Sequence, residues 1–435
     1  MTKPRWGTIA AVLATAVLAG AAAGCGGDDD GGGGGNGDVS GSISVMGIWV
    51  GEEQKSFEAV LDGFKEEYPD VTVNYNPAGD NLPTVLSTAV EGGNPPDIAA
   101  IAQPGLMQGF VDKGVLEPLD YAEEAAVDNF GQSVVDTGSV DGTFYGLMWK
   151  ANNKSTVWYN VATYDDAGVE PAETWDDFIA NSDTIKASGL PAYSIAGADG
   201  WTLTDLFENI YLRTAGPDKY DQLSSHTIPW TDQSVKDALT EMAKVFADGD
   251  NIAGGTSGAL QTDFPTSVSN VFSDSPKASQ VIEADFVNGV VETTLEPGTG
   301  FNVFTFPQVA DSPPSVVGAG NLFITFRTNP AIEAFIDYMT TPESAQIWVE
   351  RGGFSSPNQN VDLDSYPDEI LRTTAEGLST AEVFRFDLSD LQPAAFGATA
   401  GQGMWKLFQD FLQSPDDVDG IAQKLEDSAA RAYGG

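Results

Sequence analysis

The stretch Ser42 to Trp49 reads as a strand, and directly after it Phe57, Val60, Leu61, Phe64 and Tyr68 recur at the three- and four-residue spacing of a helix. The same change of period repeats. Val71 to Tyr75 reads as a second strand, Leu82 to Val90 as a helix, and Asp97 to Ile101, after the Pro95-Pro96 break, as a third strand. Strands alternating with helices predict an α/β sheet whose ligand loops leave the carboxyl ends of the strands. Those ends are Trp49 to Glu53 and Ala102 to Gly105.

Further on, Phe144 to Trp149 and Ser155 to Tyr159 are β-rich pieces on either side of Lys150-Ala151-Asn152-Asn153. Helical patterns dominate afterwards, at Asp176 to Ala187, Thr202 to Arg213 and Val235 to Ala247, so a second lobe is expected to begin here. Phe301 to Phe306 and Leu322 to Phe326 read as strands. Asn329 followed by Pro330, and Thr341 followed by Pro342, each place a capping side chain before a proline at the first helical position, and Gly352 ends the second of these helices. Ser414-Pro415-Asp416-Asp417 opens a last helix.

The N-terminal segment has a different character. Lys3 and Arg5 precede an apolar run from Ile9 to Leu18, and Ala22-Ala23-Gly24 stands before Cys25, the layout of a secretory signal peptide. The small residues before Cys25 resemble the lipobox of bacterial lipoproteins, with Ala22 where that family usually has Leu. This resemblance implies an acylated Cys25 and an extracytoplasmic protein anchored by lipid to the outer face of the bacterial cell membrane. Residues 26 to 40 are rich in Gly and Asp and are expected to form a flexible tether.

Of 435 residues, about 395 remain beyond leader and tether, enough for two domains. A formal net charge of −44, from 64 acidic and 20 basic residues, excludes a general nucleic-acid binder and describes a solvated acidic surface. The one cysteine is in the leader and the one histidine, His226, lies in a polar stretch. The body is therefore expected to have no disulfide, no thiol nucleophile, no zinc cluster and no cofactor.

Several stretches resemble carbohydrate-type extracellular solute-binding proteins of ABC importers, related to the maltose and α-glucoside binding proteins. They are Glu53 to Phe57 with Phe64 to Val71, Gly92 to Ile98 followed by Lys113 to Leu119, Gly142 to Leu147 with Val157 to Asn160, Thr174 to Phe178, and Ala331 to Met339 through Gly353. The resemblance implies an α/β, two-lobed periplasmic-binding-protein-like fold with crossing hinge strands and a cleft that closes on its ligand. It places residues 1–24 in the signal peptide, 25–40 in the lipidated tether, 41–150 plus 326–357 in the first lobe, and 151–325 plus 358–435 in the second. It further implies a monomer that is not an enzyme, with a carbohydrate, such as an oligosaccharide of the α-glucoside kind, and importer permease subunits as partners.

A sugar offers hydroxyls and patches of C–H, so its cleft needs aromatic faces and carboxylate, amide or ammonium groups. Trp49, Glu52 and Glu53 are candidates because the family uses this loop to contact sugar; Gln103 follows the third strand, and Trp149, Lys150 and Asn152 lie at the expected crossover. Asp199 and Trp201 resemble the aromatic platform of the second lobe, and Glu283 and Asp285 a ligand-facing segment. Asn321 follows two glycines that permit close approach; Phe354, Asp390 and Trp405 complete the set. Trp158, Trp175, Trp230 and Trp348 sit in apolar or helical patterns and read as core. A secreted glycoside hydrolase, a surface adhesin and a binding protein for a non-sugar solute remain as alternatives.

Overall fold

A computed structural model describes residues 39–291 and 295–434; the leader, Cys25 and most of the tether lie outside the described residues. Strands β1 (Gly41–Gly47), β2 (Val71–Pro77) and β3 (Ile98–Ile101) lie parallel with β1 in the middle, Val45 facing Tyr75 on one side and Ile98 on the other. The predicted βαβ pattern is what produces this. Helix Gly51–Glu67 returns the chain from β1 to β2 and buries Phe57, Val60 and Phe64, one stripe of its surface.

A short hairpin of β4 (Ser139–Val140) and β5 (Thr143–Phe144) precedes β6 (Gly146–Asn153), which leads into β7 (Thr156–Asn160). Beyond the helices come β8 (Gln280–Ile282), β9 (Phe301–Thr305), β10 (Ser315–Thr325) and β11 (Val383–Phe386). β10 is antiparallel to both β3 and β6 and parallel to β11, so it joins the first sheet along most of its length. β7 is the middle of a separate antiparallel sheet, ordered β8-β7-β9.

The cores follow strand periodicity. Leu147 and Trp149 of β6 and Phe323 of β10 point to one face, with Trp49, Phe57, Trp348 and Phe354; Met148, Leu322 and Ile324 point to the other, with Leu86, Leu106 and Phe110. Those two layers make the first lobe. The second lobe is built around helix Trp201–Ala215, whose residues from Thr202 to Arg213 are all buried, with Trp175, Trp230 and Phe408 among its neighbours.

Two expected boundaries shift. Val317 packs in the second lobe's core while Leu322, Phe323 and Ile324 pack in the first, so β10 crosses before residue 325. Val361, Tyr366 and Leu371 belong to the first lobe's core, which therefore runs past residue 357. Sequence pattern marks apolar positions without saying which of two cores receives them.

The expected caps form: Asn329 Oδ1 accepts the N–H groups of Ala331 and Ile332 at 2.9 and 3.1 Å, and Thr341 Oγ1 that of Ser344 at 3.3 Å. Trp149 has no exposed surface, packs with its ring centre 4.8 Å from that of Phe354 at a tilt of 53° and donates its indole N–H to Ser344 Oγ at 3.2 Å. Trp149→Ala is expected to cost about 3–5 kcal/mol of unfolding free energy. Urea unfolding followed by circular dichroism measures it, and a loss below 1 kcal/mol contradicts this packing.

Candidate functional site

Where the chain crosses between the lobes there is a cavity of about 340 Å³. Its first-lobe wall is made at strand ends, as a parallel sheet dictates. Ile48, Trp49 and Val50 follow β1, Gly79 and Asp80 follow β2, and Ala102 and Gln103 follow β3. Lys150, Asn152 and Lys154 alternate along the end of β6 and present one face to it, opposite Ala319, Gly320 and Asn321 of β10. The second-lobe wall consists of helix beginnings and turns: Asp199 and Trp201, Asp263 to Pro265, Phe286, Ser389 and Asp390, with Trp405 from helix Gly403–Gln413.

Three rings form an aromatic shelf. Trp201 packs at 5.5 Å from Phe264 and 5.9 Å from Phe286, and those two meet edge to face at 5.1 Å. Gly200, at φ 82°, lets Trp405 lie against the start of this helix, because a Cβ there would come within 2.7 Å of the Trp405 Cβ. The lobes touch across the cavity. Trp201 faces the Asp80 carboxyl and the Gln103 side chain faces Asp390, each near enough to oppose the upward pull of burial on that carboxyl.

Beneath the shelf, Lys154 is buried and bonds Asp205 at 2.8 Å and also Asp387. Burial disfavours its charge, but Asp205, Asp387, Asp390 and Glu208 outweigh that and hold its pKa well above the ordinary lysine value. Burial alone would raise Asp387; Lys154, with the N–H of Asp390 and the Ser389 hydroxyl, brings it below the usual carboxylate range. Asp387 is the charged partner. Burial raises Asp205 to about 7 and carries Glu208, Glu283 and Asp390 far above their ordinary values, with the neighbouring acids adding to the effect. Asp199 rises to about 7, through burial and then Asp80. Burial thus pushes the carboxyls of Asp390 and Glu283 toward their neutral forms, and Asp390 stands on the cavity wall.

Some buried polar atoms have no protein partner: Gln103 Oε1 and Trp405 Nε1 on the wall, and Glu283 Oε2 behind it. Polar side chains beside an aromatic shelf, with both lining lysines already paired, suit a neutral hydroxylated molecule. No group of three or more His, Cys, Asp or Glu side chains suited to a metal occurs among the described residues.

The structure brings Trp49, Glu53, Gln103, Lys150, Asn152, Asp199, Trp201, Asn321, Asp390 and Trp405 to the cavity wall. Trp49 offers little beyond an edge, since its ring is packed in the core and its N–H donates to Asn321 Oδ1 at 3.2 Å. Five candidates fall elsewhere. Glu52 is exposed and pairs with Lys55; Trp149 and Phe354 are core rings; Glu283 lies one layer behind the wall. Asp285 is fully buried and accepts from Asn152 Nδ2 at 3.1 Å and from Ser355, so it fixes Asn152 rather than facing the cavity.

Asp80, Lys154, Asp263, Phe264 and Phe286 also line the cavity and were not anticipated. Signals for some were present. Lys154 continues the every-second-residue row of Lys150 and Asn152, Asp263-Phe264-Pro265 is a capped helix start with Asp263 accepting from Thr266 at 2.9 Å, and Asp80 follows a parallel strand's carboxyl end.

Residues 50–346 match the family model described as bacterial extracellular solute-binding protein. The osmoprotective compounds-binding protein GgtB of Synechocystis sp. is 32% identical over 86% of this chain and 89% of its own. The alpha-glucosides-binding periplasmic protein AglE of Rhizobium meliloti is 32% identical over 89% of this chain and 87% of its own. Among solved structures, the bacterial solute receptor AcbH superposes with a TM-score of 0.79 at 18% identity, covering 92% of this chain and 100% of that one. RafE in complex with raffinose gives 0.72 at 21% identity over 90% and 100%. Both share the two-lobed fold.

The raised carboxyl of Asp199 gives a signed pH dependence. Its folded-state pKa of about 7 exceeds the ordinary aspartate value of 3.8, so the folded protein holds the extra proton between those values. Stability from this group is full below about pH 4 and is lost as pH rises through about 7. The melting temperature of the ligand-free protein is expected to fall less between pH 5 and pH 8 in Asp199→Asn than in wild type. Parallel melting curves for the two proteins would contradict the assignment.

Proposed function

This chain belongs to the bacterial extracellular solute-binding proteins, and we propose that it captures a carbohydrate in the cavity between its lobes and delivers it to an ABC importer. The observation that carries the reading is the aromatic shelf at Trp201 sharing one cavity with the polar side chains of Gln103, Asn152, Asn321 and Asp390. A sugar ring has an apolar face for the shelf and hydroxyls for those polar groups. Asn152, Asp199, Asn321 and Asp390 are assigned as further hydroxyl partners. A relative whose name specifies α-glucosides, and a structural neighbour holding raffinose, support a carbohydrate over other solutes.

The reading is binding without turnover by a monomer. It includes a lipid anchor at Cys25, supported by Lys3, Arg5, the apolar run and the small residues before the cysteine. Among the described residues no helix is long and apolar enough to cross a membrane. Two lobes that meet through Asp80 with Trp201 and Gln103 with Asp390 suit capture by hinge closure, the ligand adding contacts that hold both halves together.

Thermal-shift screening against mono- and oligosaccharides tests the assignment. A sugar at one hundred times its Kd is expected to stabilise the protein by about 2.7 kcal/mol, and no shift with any sugar defeats the reading. Trp201→Ala is expected to weaken binding by calorimetry at least tenfold, about 1.4 kcal/mol, while the ligand-free protein melts near the wild-type temperature. Unchanged affinity removes Trp201 as the platform.

A further inference from the structure

The cavity is closed at one end by a small group of side chains contributed by both lobes. Lys150 is 1% exposed, its ammonium is paired with Glu53, and it lies 4.8 Å from the centre of the Trp348 ring and 5.9 Å from that of Phe286. Trp348 belongs to the first lobe's core, and Phe286 to the shelf on the second. On the far side lies a second void of about 280 Å³, and Glu53 lines both. Lys150 and Phe286 face the first space, Trp348 the second. The four side chains are a partition.

Residues of both lobes line the second void. Its floor is glycine from both lobes: a Cβ on Gly353, at φ 68°, would stand 2.7 Å from the Gly289 Cα. Its remaining rim is polar, with Glu52, Ser56 and Arg351 beside Trp348, and Arg351 Nε donates to Ser56 Oγ at 3.0 Å. Polar groups beside a ring are again the makeup of a place for a sugar residue.

We propose that the Lys150–Glu53 pair is the length-determining element of this protein: it restricts the ligand to one or two sugar rings and separates the cavity from a further sugar subsite. The inference rests on the carbohydrate reading and deepens it. A cavity of about 340 Å³ is at the small end of ligand pockets, roughly 300–1,000 Å³. A longer chain has to displace an ammonium held by a carboxylate and two rings, and taking a buried ammonium from its carboxylate is unfavourable. Short ligands leave the pair intact.

The test is calorimetry on two ladders, maltose to maltotetraose and sucrose through raffinose to stachyose. Wild type is expected to bind a two-ring member at least tenfold more tightly than the four-ring member of the same ladder. In Glu53→Ala/Lys150→Ala, which removes the partition, that ratio is expected to fall below threefold. Glu53→Gln/Lys150→Met keeps the volume without the charges and is expected to lower the ratio to a value between those of wild type and the double alanine variant. Phe286→Ala opens the second-lobe side without unpairing a charge and is expected to shift the ratio in the same direction should the double alanine variant fail to fold. Wild type binding the long sugars as tightly as the short overturns the inference while leaving the carbohydrate reading standing. So does an unchanged ratio in opened variants that melt cooperatively. Binding of no sugar in either ladder overturns both.

Discussion

One buried ammonium, that of Lys154, holds the second-lobe wall in place. It ends the crossing segment after β6, and its two carboxylate partners come from helix Trp201–Ala215 and from the turn after β11. Three parts of the chain far apart in sequence are thereby fixed to one point. Removing one partner of such a buried pair typically costs about 3–5 kcal/mol, because a charge is left without compensation. Trp201, whose ring centre lies 5.6 Å from the Lys154 ammonium, and Asp390, three residues after Asp387, take their positions from this arrangement.

The crossing strands carry that order into the first lobe. Ser155 Oγ accepts the Val317 N–H at 2.9 Å and donates to Asn209, and Asn209 donates to the Lys154 carbonyl at 2.8 Å, tying both crossings to the same helix. Gly320 permits β6 to lie against β10, since a Cβ there would stand 2.7 Å from the Lys150 carbonyl. The glycines around Asn321 thus serve strand contact as much as access for a ligand. Hinge and cavity share residues 150 to 154 and 319 to 321, so a ligand touching Asn152 or Asn321 acts on the segment about which the lobes would move.

How much of this was legible follows from the range of each interaction. Local rules reached β1, β2 and β3, the helix between the first two, both proline-capped helices and the strand-end loops with Trp49, Glu53 and Gln103. They failed where a residue's neighbour is remote. Trp149 and Lys150 are adjacent in one strand, yet alternation sends the first to the core and the second to the cavity, and only the register of β6 against β10 decides which. Phe354 and Asp285 failed for the same reason, both being fixed by residues more than fifty positions away. The meetings of Asp80 with Trp201 and of Glu53 with Lys150 leave no trace in local pattern.

The charge of the chain acquires a second meaning from the cavity. A formal charge of −44 is spread over a surface where water solvates it, but the acids at and behind the cavity wall are pushed by burial toward their neutral forms. The two ammonium groups among the described lining residues, Lys150 and Lys154, are already paired with carboxylates. A phosphorylated or carboxylated ligand would find no cation to meet it and would enter against the field of the whole protein. A neutral polyol avoids both penalties, and its hydroxyls can donate to or accept from the polar side chains on the wall. Selection against anions therefore comes from the pairing of those two lysines as much as from any group that touches the ligand.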